Sequence, residues 1–462
     1  MVKIGLEIHL QPNTKSKLFC TCSTEGVEPN TKVCQTCMGM PGSKPRLNTD
    51  AFIAALKLAL AMNCKIQSIS YFARKTYFYP DLPKDFQITQ YDQPFAVEGS
   101  LELKDKKVPL TRIHIEEDPA SLKHVEGKKG TEYVLIDYNR SGTPLCEIVT
   151  PPVFSSPAEA REFLEELMRL ADYIGIFDAQ EGKIRADVNV SIEGHPRVEV
   201  KNITSFRDAE RAAQFEIIRQ ESVVARGEQG VTETRSFDQR TGTTDSMRHK
   251  ETEEEYGYIP EPDLPPLTIT DAQLKKIMSG MPEPPRQRIA RFVKEYRIKQ
   301  EQAESLMSER ALADQFEEVA KKADPALAAM WYAYVQKILN FNKARFDKTG
   351  FLTGHMSDFL GMLSSGAVSK RGAELLLREL VVRPAPARQA AEKLGLLALG
   401  DKETRDLVEK VIKDNPNAVK DVKEGKEKAV QFLVGQVIRA SKGRAKETVV
   451  LELLKKALTP LS

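Results

Sequence analysis

Alternating hydrophobic and polar residues predict two β-strands in the first half of the chain. Every second residue is apolar from Val2 to Gln11, and the stretch from Ile184 to Glu193 repeats the alternation. Successive side chains of a strand point to opposite faces, so each segment predicts one apolar and one polar face. Half-buried strands of this kind are typical of antiparallel sheets. The predicted polar faces carry Gly5, Glu7, His9 and Gln11 on the first strand, and Arg185, Asp187, Asn189 and Ser191 on the second.

Helical periodicity and capping residues predict two helices in the same half of the chain. The first begins after Ser156, a candidate N-cap, with Pro157 at its first position and Glu159 completing a capping box. An apolar stripe follows at helical spacing, and Gly175 ends it. A second helix is predicted from about Asp208 to Ala225.

Proline clusters predict where the domains meet. Beyond the prolines the sequence is rich in Ala, Leu, Lys and Glu and contains no strand-like run, and a weaker break follows near Gly400. A chain of 462 residues is long enough for several domains. We therefore predict an α+β protein with a mixed or antiparallel sheet domain at 1–285, a helical domain at 286–398 and a small helical tail at 399–462. The prolines concerned are Pro260, Pro262, Pro265, Pro266, Pro282, Pro284 and Pro285.

Composition fits a globular protein and excludes a strongly basic nucleic-acid binder. Hydrophobic residues make up 41% of the chain and charged residues 29%, with a net charge of +2. Any nucleic-acid binding must therefore be local. No apolar run approaches the ~20 residues of a membrane helix, and the N-terminus has no signal-peptide pattern. We expect no membrane contact and a cytoplasmic location.

Four of the six cysteines lie close together and predict a metal site. They follow the pattern Cys20-x-Cys22 and Cys34-x-x-Cys37. Paired cysteines at the two ends of a short loop can surround zinc tetrahedrally, and four ligands leave no open position, so the role would be structural. A reducing compartment also favours metal over disulfides. The alternative is a set of small buried residues that bind nothing.

Carboxylates and imidazoles scattered over three segments form a candidate cation site. Glu7 and His9 share a strand face, His114 to Asp118 packs one imidazole and three acids into five residues, and Glu147 interrupts an apolar strand. A buried carboxylate is costly unless it is paired or metal-bound, and magnesium prefers oxygen ligands. The alternative is that these acids pair with the nearby arginines Arg112, Arg140 and Arg185.

Two further segments and the C-terminus offer positive charge. The loop from Arg74 to Lys84 combines basic, aromatic and proline residues that could hold phosphates or simply form a structural cluster. The polar faces of two neighbouring strands would gather Arg185, Asp187, Asn189 and Lys201. The segment from Lys420 to Lys456 contains ten Lys or Arg residues and five Asp or Glu residues. They flank an apolar stretch that predicts a helix and a basic turn at 439–444. Basic residues around a helix could contact an RNA backbone. The alternative is that they form an ordinary solvated helix surface.

No phosphate-binding loop, dinucleotide fingerprint or nucleophile elbow is present in the sequence. Any use of ATP would therefore need an unusual site. A run of short motifs nevertheless extends nearly end to end: Gly5–His9, Arg74–Asp81, Gln87–Gln90, Glu116–Asp118, Asn139–Leu145, Arg185–Ser191, Pro260–Leu264 and Phe432–Gln436.

Taken in order, these motifs resemble the B subunit family of the tRNA-dependent amidotransferases. The resemblance implies ATP-dependent amidation of glutamate or aspartate mischarged onto the tRNA for glutamine or asparagine. The carboxylate would be phosphorylated, and ammonia would displace the phosphate. The resemblance also implies a cradle-like catalytic domain, a helical domain and a tail that approaches the tRNA.

The same resemblance implies roles for individual residues. His9, Glu117 and Glu147 would hold Mg²⁺ and, with Glu7, form the catalytic set, while Cys20, Cys22, Cys34 and Cys37 would hold a structural Zn²⁺. ATP and the substrate would meet a broader set of side chains: Arg74, Lys75, Tyr79, Asp81, Arg140, Arg185, Asp187, Asn189 and Lys201.

The chain shows no amidase machinery, so ammonia would have to come from elsewhere. The resemblance implies an amidase subunit that supplies it and a small third subunit that completes a heterotrimer. Two alternatives remain open from the residues alone. One is a zinc-containing RNA-binding protein without catalysis, which has no reason to bring Glu7, His9, Glu117 and Glu147 together. The other is a ligase acting on a small acid, which would not need the basic C-terminal segment.

Overall fold

The computed structural model describes residues 1–26, 28–127, 130–179, 182–201, 203, 205–249, 257–423, 426–441 and 443–458. The chain forms two compact units, Met1–Pro284 and Pro285–Ser462. Strands occur in the first unit, and the described part of the second contains helices and one short 3₁₀ helix at Phe346–Lys348. This confirms the predicted α+β class. The further division at 399 stays a prediction.

Eighteen strands are described in the first unit, and nine of them form one sheet in the order β16-β15-β14-β13-β1-β12-β9-β6-β2. The strands are β1 (Lys3–Leu10), β2 (Lys65–Ile66), β3 (Ile69–Ser70), β4 (Ala73–Thr76), β5 (Phe86–Thr89), β6 (Ala96–Val97), β7 (Ser100–Glu102), β8 (Lys107–Pro109), β9 (Arg112–Glu117), β10 (Ser121–Gly127), β11 (Gly130–Asp137), β12 (Pro144–Val149), β13 (Ile184–Ser191), β14 (Val198–Lys201), β15 (Glu233–Asp238), β16 (Thr243–His249), β17 (Gly257–Pro260) and β18 (Leu267–Thr268).

The sheet is mixed, because β14 and β15 run parallel while the other pairs in it are antiparallel. Its central strand, β1, alternates as predicted. Ile4, Leu6 and Ile8 are at most 1% exposed, whereas Glu7 and His9 on the other face remain partly accessible. Burial of the apolar row anchors the strand and fixes which side chains face away from the core.

Both helices predicted in the first unit are present. The helix at Pro157–Tyr173 has the predicted ends, whereas the helix at Phe206–Ala225 begins two residues before its predicted start. The helix α2 begins at Pro157 with the Ser156 side chain accepting a hydrogen bond from the Glu159 N–H. The other half of the predicted capping box differs, since the Glu159 carboxylate accepts from the Ser155 N–H instead. Gly175, with φ of 75°, follows the helix end. The helices of the first unit are α1 (Thr49–Ala61), α2 (Pro157–Tyr173), α3 (Phe206–Ala225) and α4 (Asp271–Ser279).

The second unit carries eleven described α-helices. Its last part has a core of its own, in which Val408, Leu433, Val437, Val450 and Leu454 are buried. Lys442, in the predicted basic turn, lies outside the described residues. The helices are α5 (Pro285–Tyr296), α6 (Gln300–Leu306), α7 (Arg310–Ala320), α8 (Pro325–Asn342), α9 (Thr353–Ser364), α10 (Lys370–Val382), α11 (Ala387–Lys393), α12 (Asp401–Asp414), α13 (Pro416–Lys423), α14 (Glu427–Ala440) and α15 (Glu447–Leu458).

Among the described helices, none combines the length and the apolar character needed to cross a membrane. The cytoplasmic location stays a prediction.

Candidate functional site

Strand register collects the polar side chains of β1 and its neighbours on one face of the sheet. His9 lies opposite Glu147 of β12 and Arg185 of β13. Glu7 lies opposite Asp187 in the same way. Directly paired residues of antiparallel strands point to the same face, so segments far apart in the sequence share one polar surface.

Two imidazoles and two carboxylates form the first group on this surface. His9 Nε2 lies 3.4 Å from Glu116 Oε1 and 3.6 Å from Glu147 Oε2. His114 Nε2 lies 3.5 Å from Glu116 Oε2 and 3.2 Å from Glu147 Oε2. The hydroxyl of Thr89 donates to Glu116 Oε2 at 2.9 Å. We call His9, Glu116, Glu147 and His114 the histidine–glutamate group.

Opposite charges outweigh burial in this group. Burial disfavours the imidazolium of His114, but the carboxylates of Glu147 and Glu116 outweigh it and raise its pKa to about 9. His9 has its pKa raised in the same way. Burial and Glu147 favour the neutral form of Glu116, yet the two histidines lower its pKa to about 2. The carboxylates are therefore anionic at neutral pH, and the histidines supply the balancing charge.

The histidine–glutamate group has the donors for a divalent cation. One ligand atom from each of His9, Glu116 and Glu147 lies within 4.8 Å of the others. A cation there would bind two carboxylate oxygens and one imidazole nitrogen. Magnesium uses few protein ligands and keeps its other positions for water or phosphate. The donor set therefore fits Mg²⁺, although no cation is needed to account for the ion pairs themselves.

Glu117, expected from the sequence to be a magnesium ligand, does not join this group. It lies beside Pro144 at the end of β9, whereas Glu116 is the residue that faces the histidines. Consecutive residues of a strand point to opposite faces, so only one of the two glutamates can reach the cation group. Glu117 instead pairs with Lys84 and accepts the Ile88 N–H at 2.9 Å.

Glu117 and Lys84 line a cavity of about 180 Å³ on the other side of β9. Lys17, Arg74 and Glu261 also contribute to its wall. Arg74 holds Glu261 through two hydrogen bonds of 2.8 and 2.9 Å. The structure therefore brings Arg74 into this cavity rather than into contact with the histidine–glutamate group.

A second charged group lies on the polar face, centred on Lys201. Its ammonium donates to Asp187 at 2.8 Å and lies 3.4 Å from Glu199. Burial disfavours that ammonium, but the two carboxylates raise the pKa of Lys201. The Asn189 amide donates to Glu7 Oε1 at 3.0 Å, and burial raises the pKa of Glu7. The structure thus brings the predicted residues Glu7, Asp187, Asn189 and Lys201 together.

Arg185 and Arg140 meet at a buried carboxylate. Arg185 donates to Asp118 Oδ2 at 2.9 Å, and Arg140 Nε lies 3.5 Å from the same oxygen. Arg140 also donates to the carbonyl oxygens of Pro119 and Ala120. The carboxylate Asp118, absent from the predicted site, is the link between the two arginines.

The predicted loop residues Lys75, Tyr79 and Asp81 are spread over the neighbouring surface. Lys75 lies on β4, opposite Tyr258 of β17. Tyr79 is 48% exposed, and the Asp81 carbonyl accepts the Ala120 N–H at 2.9 Å. Burial raises the pKa of Asp81. None of these three has a described contact with the histidine–glutamate group.

The four clustered cysteines converge as predicted and could hold a metal ion. Their sulfur atoms lie within 4.8 Å of one another, and Cys34 and Cys37 are 3.9 Å apart. Tetrahedral zinc with Zn–S bonds of about 2.3 Å needs sulfurs about 3.8 Å apart. The Cys34 N–H donates to Cys37 Sγ at 3.1 Å. A hydrogen bond from Cys20 lowers the pKa of Cys37 to about 4.

Family comparisons cover both units of the chain. The model of the GatB/GatE catalytic domain matches residues 2–275, and that of the GatB domain matches residues 314–458. The chain belongs to the GatB family. This confirms the family resemblance that the motifs predict.

Relatives extend the match over nearly the whole length. The B subunit of the aspartyl/glutamyl-tRNA(Asn/Gln) amidotransferase from Methanothermobacter thermautotrophicus is 42% identical over 463 residues, 99% of this chain and 100% of that protein. The protein of the same name from Methanoregula boonei is 43% identical, covering 96% of this chain and 95% of its own. That from Thermotoga petrophila is 40% identical, covering 98% of both.

Glu116 and His114 are the members of the histidine–glutamate group to which the sequence assigned no role. Both lie in the acidic segment that was singled out, and a spacing of two residues places them on one strand face. His114 lies opposite Glu147 because β9 pairs with β12. Neither segment alone reveals this pairing.

Exchanging each adjacent glutamate of β9 for glutamine tests the cation site. We expect Glu116→Gln to weaken Mn²⁺ binding by about tenfold or more, since it removes a ligand charge. Glu117→Gln is the matched control, because its side chain points to the opposite face, and should leave the affinity within about twofold. Electron paramagnetic resonance of free Mn²⁺ measures both. Equal losses, or a loss confined to Glu117→Gln, would contradict the assignment.

The raised pKa of His9 predicts that cation binding strengthens with pH. Below that pKa the cation must displace a proton from Nε2, so Mn²⁺ affinity should rise up to about tenfold per pH unit and level off above it. The measurement is a calorimetric titration with Mn²⁺ between pH 6.5 and 9. Repeating it in two buffers with different heats of ionisation gives the number of protons released on binding. A pH-independent affinity without proton release would rule out His9 as a ligand.

Proposed function

We propose that this chain is the subunit of a tRNA-dependent amidotransferase that activates the side-chain carboxylate of Glu-tRNA(Gln), Asp-tRNA(Asn) or both. The γ-phosphoryl group of ATP would move to a carboxylate oxygen and leave ADP. Ammonia would then attack the acyl carbon, the carbon–oxygen bond to phosphate would break, and an amide would form. The enzyme would therefore be a carbon–nitrogen ligase.

The observation that carries this proposal is the convergence of His9, Glu116 and Glu147 on the face that also bears Arg185 and Lys201. A protein catalyses phosphoryl transfer mainly by positioning the reacting groups and neutralising the charge of the phosphates. His9, Glu116 and Glu147 would hold Mg²⁺, which neutralises phosphate charge when bound. A pure RNA-binding protein has no need to hold these groups together, so convergence favours catalysis over that alternative.

The basic side chains around this group would bind the substrates. Arg185 is about one third exposed, with a side-chain exposure of 36%, and Lys201 shows 38%. Both can reach a ligand while staying tethered to Asp118 and Asp187. We assign to them the phosphates of ATP or the aminoacyl end, with Asn189 beside them. Arg140 supports Arg185 through their shared carboxylate. Four further residues would contact ATP or the substrate outside the histidine–glutamate group: Arg74, Lys75, Tyr79 and Asp81.

Partner proteins would supply the ammonia. The relatives are named as B subunits of an amidotransferase, which supports assembly with other subunits. We propose an amidase subunit that releases ammonia and a small third subunit, working together in the cytoplasm. The C-terminal helices α12–α15, with basic residues at their rim, would contact the tRNA backbone.

The cysteine cluster would hold structural zinc. Four sulfur ligands complete the tetrahedral shell and leave no position for a substrate. The sulfur atoms lie within 4.8 Å of one another, and the Cys34–Cys37 pair at 3.9 Å is close to the spacing of tetrahedral zinc ligands. The role of that metal would be to order the loops between β1 and α1.

Phosphate release tests the proposed reaction. The chain, assembled with an amidase and a small third subunit, should hydrolyse ATP only when mischarged Glu-tRNA or Asp-tRNA is present. Glu116→Gln should lower this rate about 100-fold or more, because the proposed cation loses a ligand. Glu132→Gln, at an exposed position of β11, is the control and should keep the full rate.

Each alternative has its own outcome in this assay. tRNA-independent hydrolysis with a small acid would favour the small-acid ligase. Tight tRNA binding without any phosphate release would favour the non-catalytic RNA-binding protein.

A further inference from the structure

Lys17 is a fully buried lysine without a carboxylate partner. Its relative exposure is 0%. Among the described residues no carboxylate oxygen lies within 4.0 Å of its Nζ, although the less deeply buried cations Lys84 and Arg235 of the same unit each have one. A buried charge is costly unless an opposite charge or good acceptors compensate it. The position of Lys17 therefore points to a different anion.

The two acceptors of the Lys17 ammonium identify that anion. Nζ lies 3.7 Å from Cys37 Sγ and 3.2 Å from the carbonyl oxygen of Tyr138. A divalent metal bound by four thiolates has a net charge of about −2. The ammonium would remove roughly half of that charge, in the way that outer hydrogen bonds tune other metal sites.

We propose that Lys17 is the built-in counter-cation of a four-thiolate metal complex and ties that complex to the segment 138–142. The proposal rests on the metal site proposed above and is independent of the amidation reaction. It assigns Lys17 a positioning role: the residue sets how tightly the metal is held and how firmly the metal orders its neighbours.

Backbone contacts extend the link from the cysteine loops to this segment. The Leu18 N–H donates to the Gly142 carbonyl at 2.8 Å, next to Lys17. The Lys32 N–H donates to Asn139 Oδ1 at 2.7 Å, just before Cys34. Gly142 has φ of 82°, and a Cβ there would lie 3.5 Å from Lys17 Cδ. Only glycine adopts this conformation readily, so the segment is shaped to pass close to the lysine.

The segment leads in turn to the polar face of the sheet. It contains Arg140, which holds the carbonyls of Pro119 and Ala120 and shares Asp118 with Arg185. Loss of the metal should therefore loosen segment 138–142 first and Arg185 through it.

Removal of the Lys17 charge tests the proposal on the full chain. We expect Lys17→Met to bind Zn²⁺ about 10- to 100-fold more weakly than the wild type in competition with a chromogenic chelator, as outer-shell losses do elsewhere. Lys15→Met is the matched control, because Lys15 is an exposed lysine two residues earlier. Its Zn²⁺ affinity should equal that of the wild type.

Stability in the two metal states separates charge compensation from simple packing. With zinc bound, Lys17→Met should unfold at lower denaturant concentration than the wild type. After the zinc is removed by a chelator, Lys17→Met should be as stable as the wild type or more stable. The anionic complex is then gone, and the wild type keeps a buried ammonium without a compensating charge. A loss of stability of the same size in both states, or unchanged zinc affinity, would overturn the proposal.

A measurement on the wild type covers the case in which Lys17→Met does not fold. Amide hydrogen exchange should accelerate at 138–142 when zinc is removed, more than in helix α3, which packs against α2 and β13. Unchanged exchange at 138–142 would overturn the link to this segment. A wild-type chain that binds no zinc would contradict the metal site itself, whatever the outcome for the amidation reaction.

Discussion

The antiparallel pairing of β1 with β12 and β13 is the constraint on which the candidate site depends. Burial of Ile4, Leu6 and Ile8 fixes the face of β1 that carries Glu7 and His9. A shift of one residue in either pairing would send the polar row into the core. The same hydrophobic burial that stabilises the sheet therefore also positions the charged groups, so stability and chemistry cannot be varied independently on these strands.

Charge on the polar face is balanced locally rather than by solvent. Glu116 and Glu147 face His9 and His114, while Lys201 compensates Asp187 and Glu199. Groups held this way keep their charged forms despite burial, and the basic side chains would need little reorganisation to meet a phosphate group. The cysteine cluster repeats the arrangement on a smaller scale, with Lys17 as its cation.

Local patterns predicted much of the fold, because alternation and capping act over a few residues. They gave the strands β1 and β13, both ends of α2 and the convergence of four cysteines. Glu117 was the predicted magnesium ligand, whereas the structure places Glu116 beside the histidines. The motif contains both glutamates, and only the strand face that each side chain occupies separates them. Lys17 and Asp118 were missed because their partners, Tyr138, Cys37 and Arg185, are distant in sequence and reach them only through tertiary packing.

The most direct test of this account is a crystal structure of the chain grown with Mn²⁺, with the ion located by anomalous scattering. We expect one peak between His9 Nε2 and the carboxylates of Glu116 and Glu147, within bonding distance of all three. A peak in the cavity lined by Glu117 and Lys84 instead, or no peak at the histidine–glutamate group at saturating Mn²⁺, would contradict the claim that this face of the sheet is a cation-dependent catalytic surface.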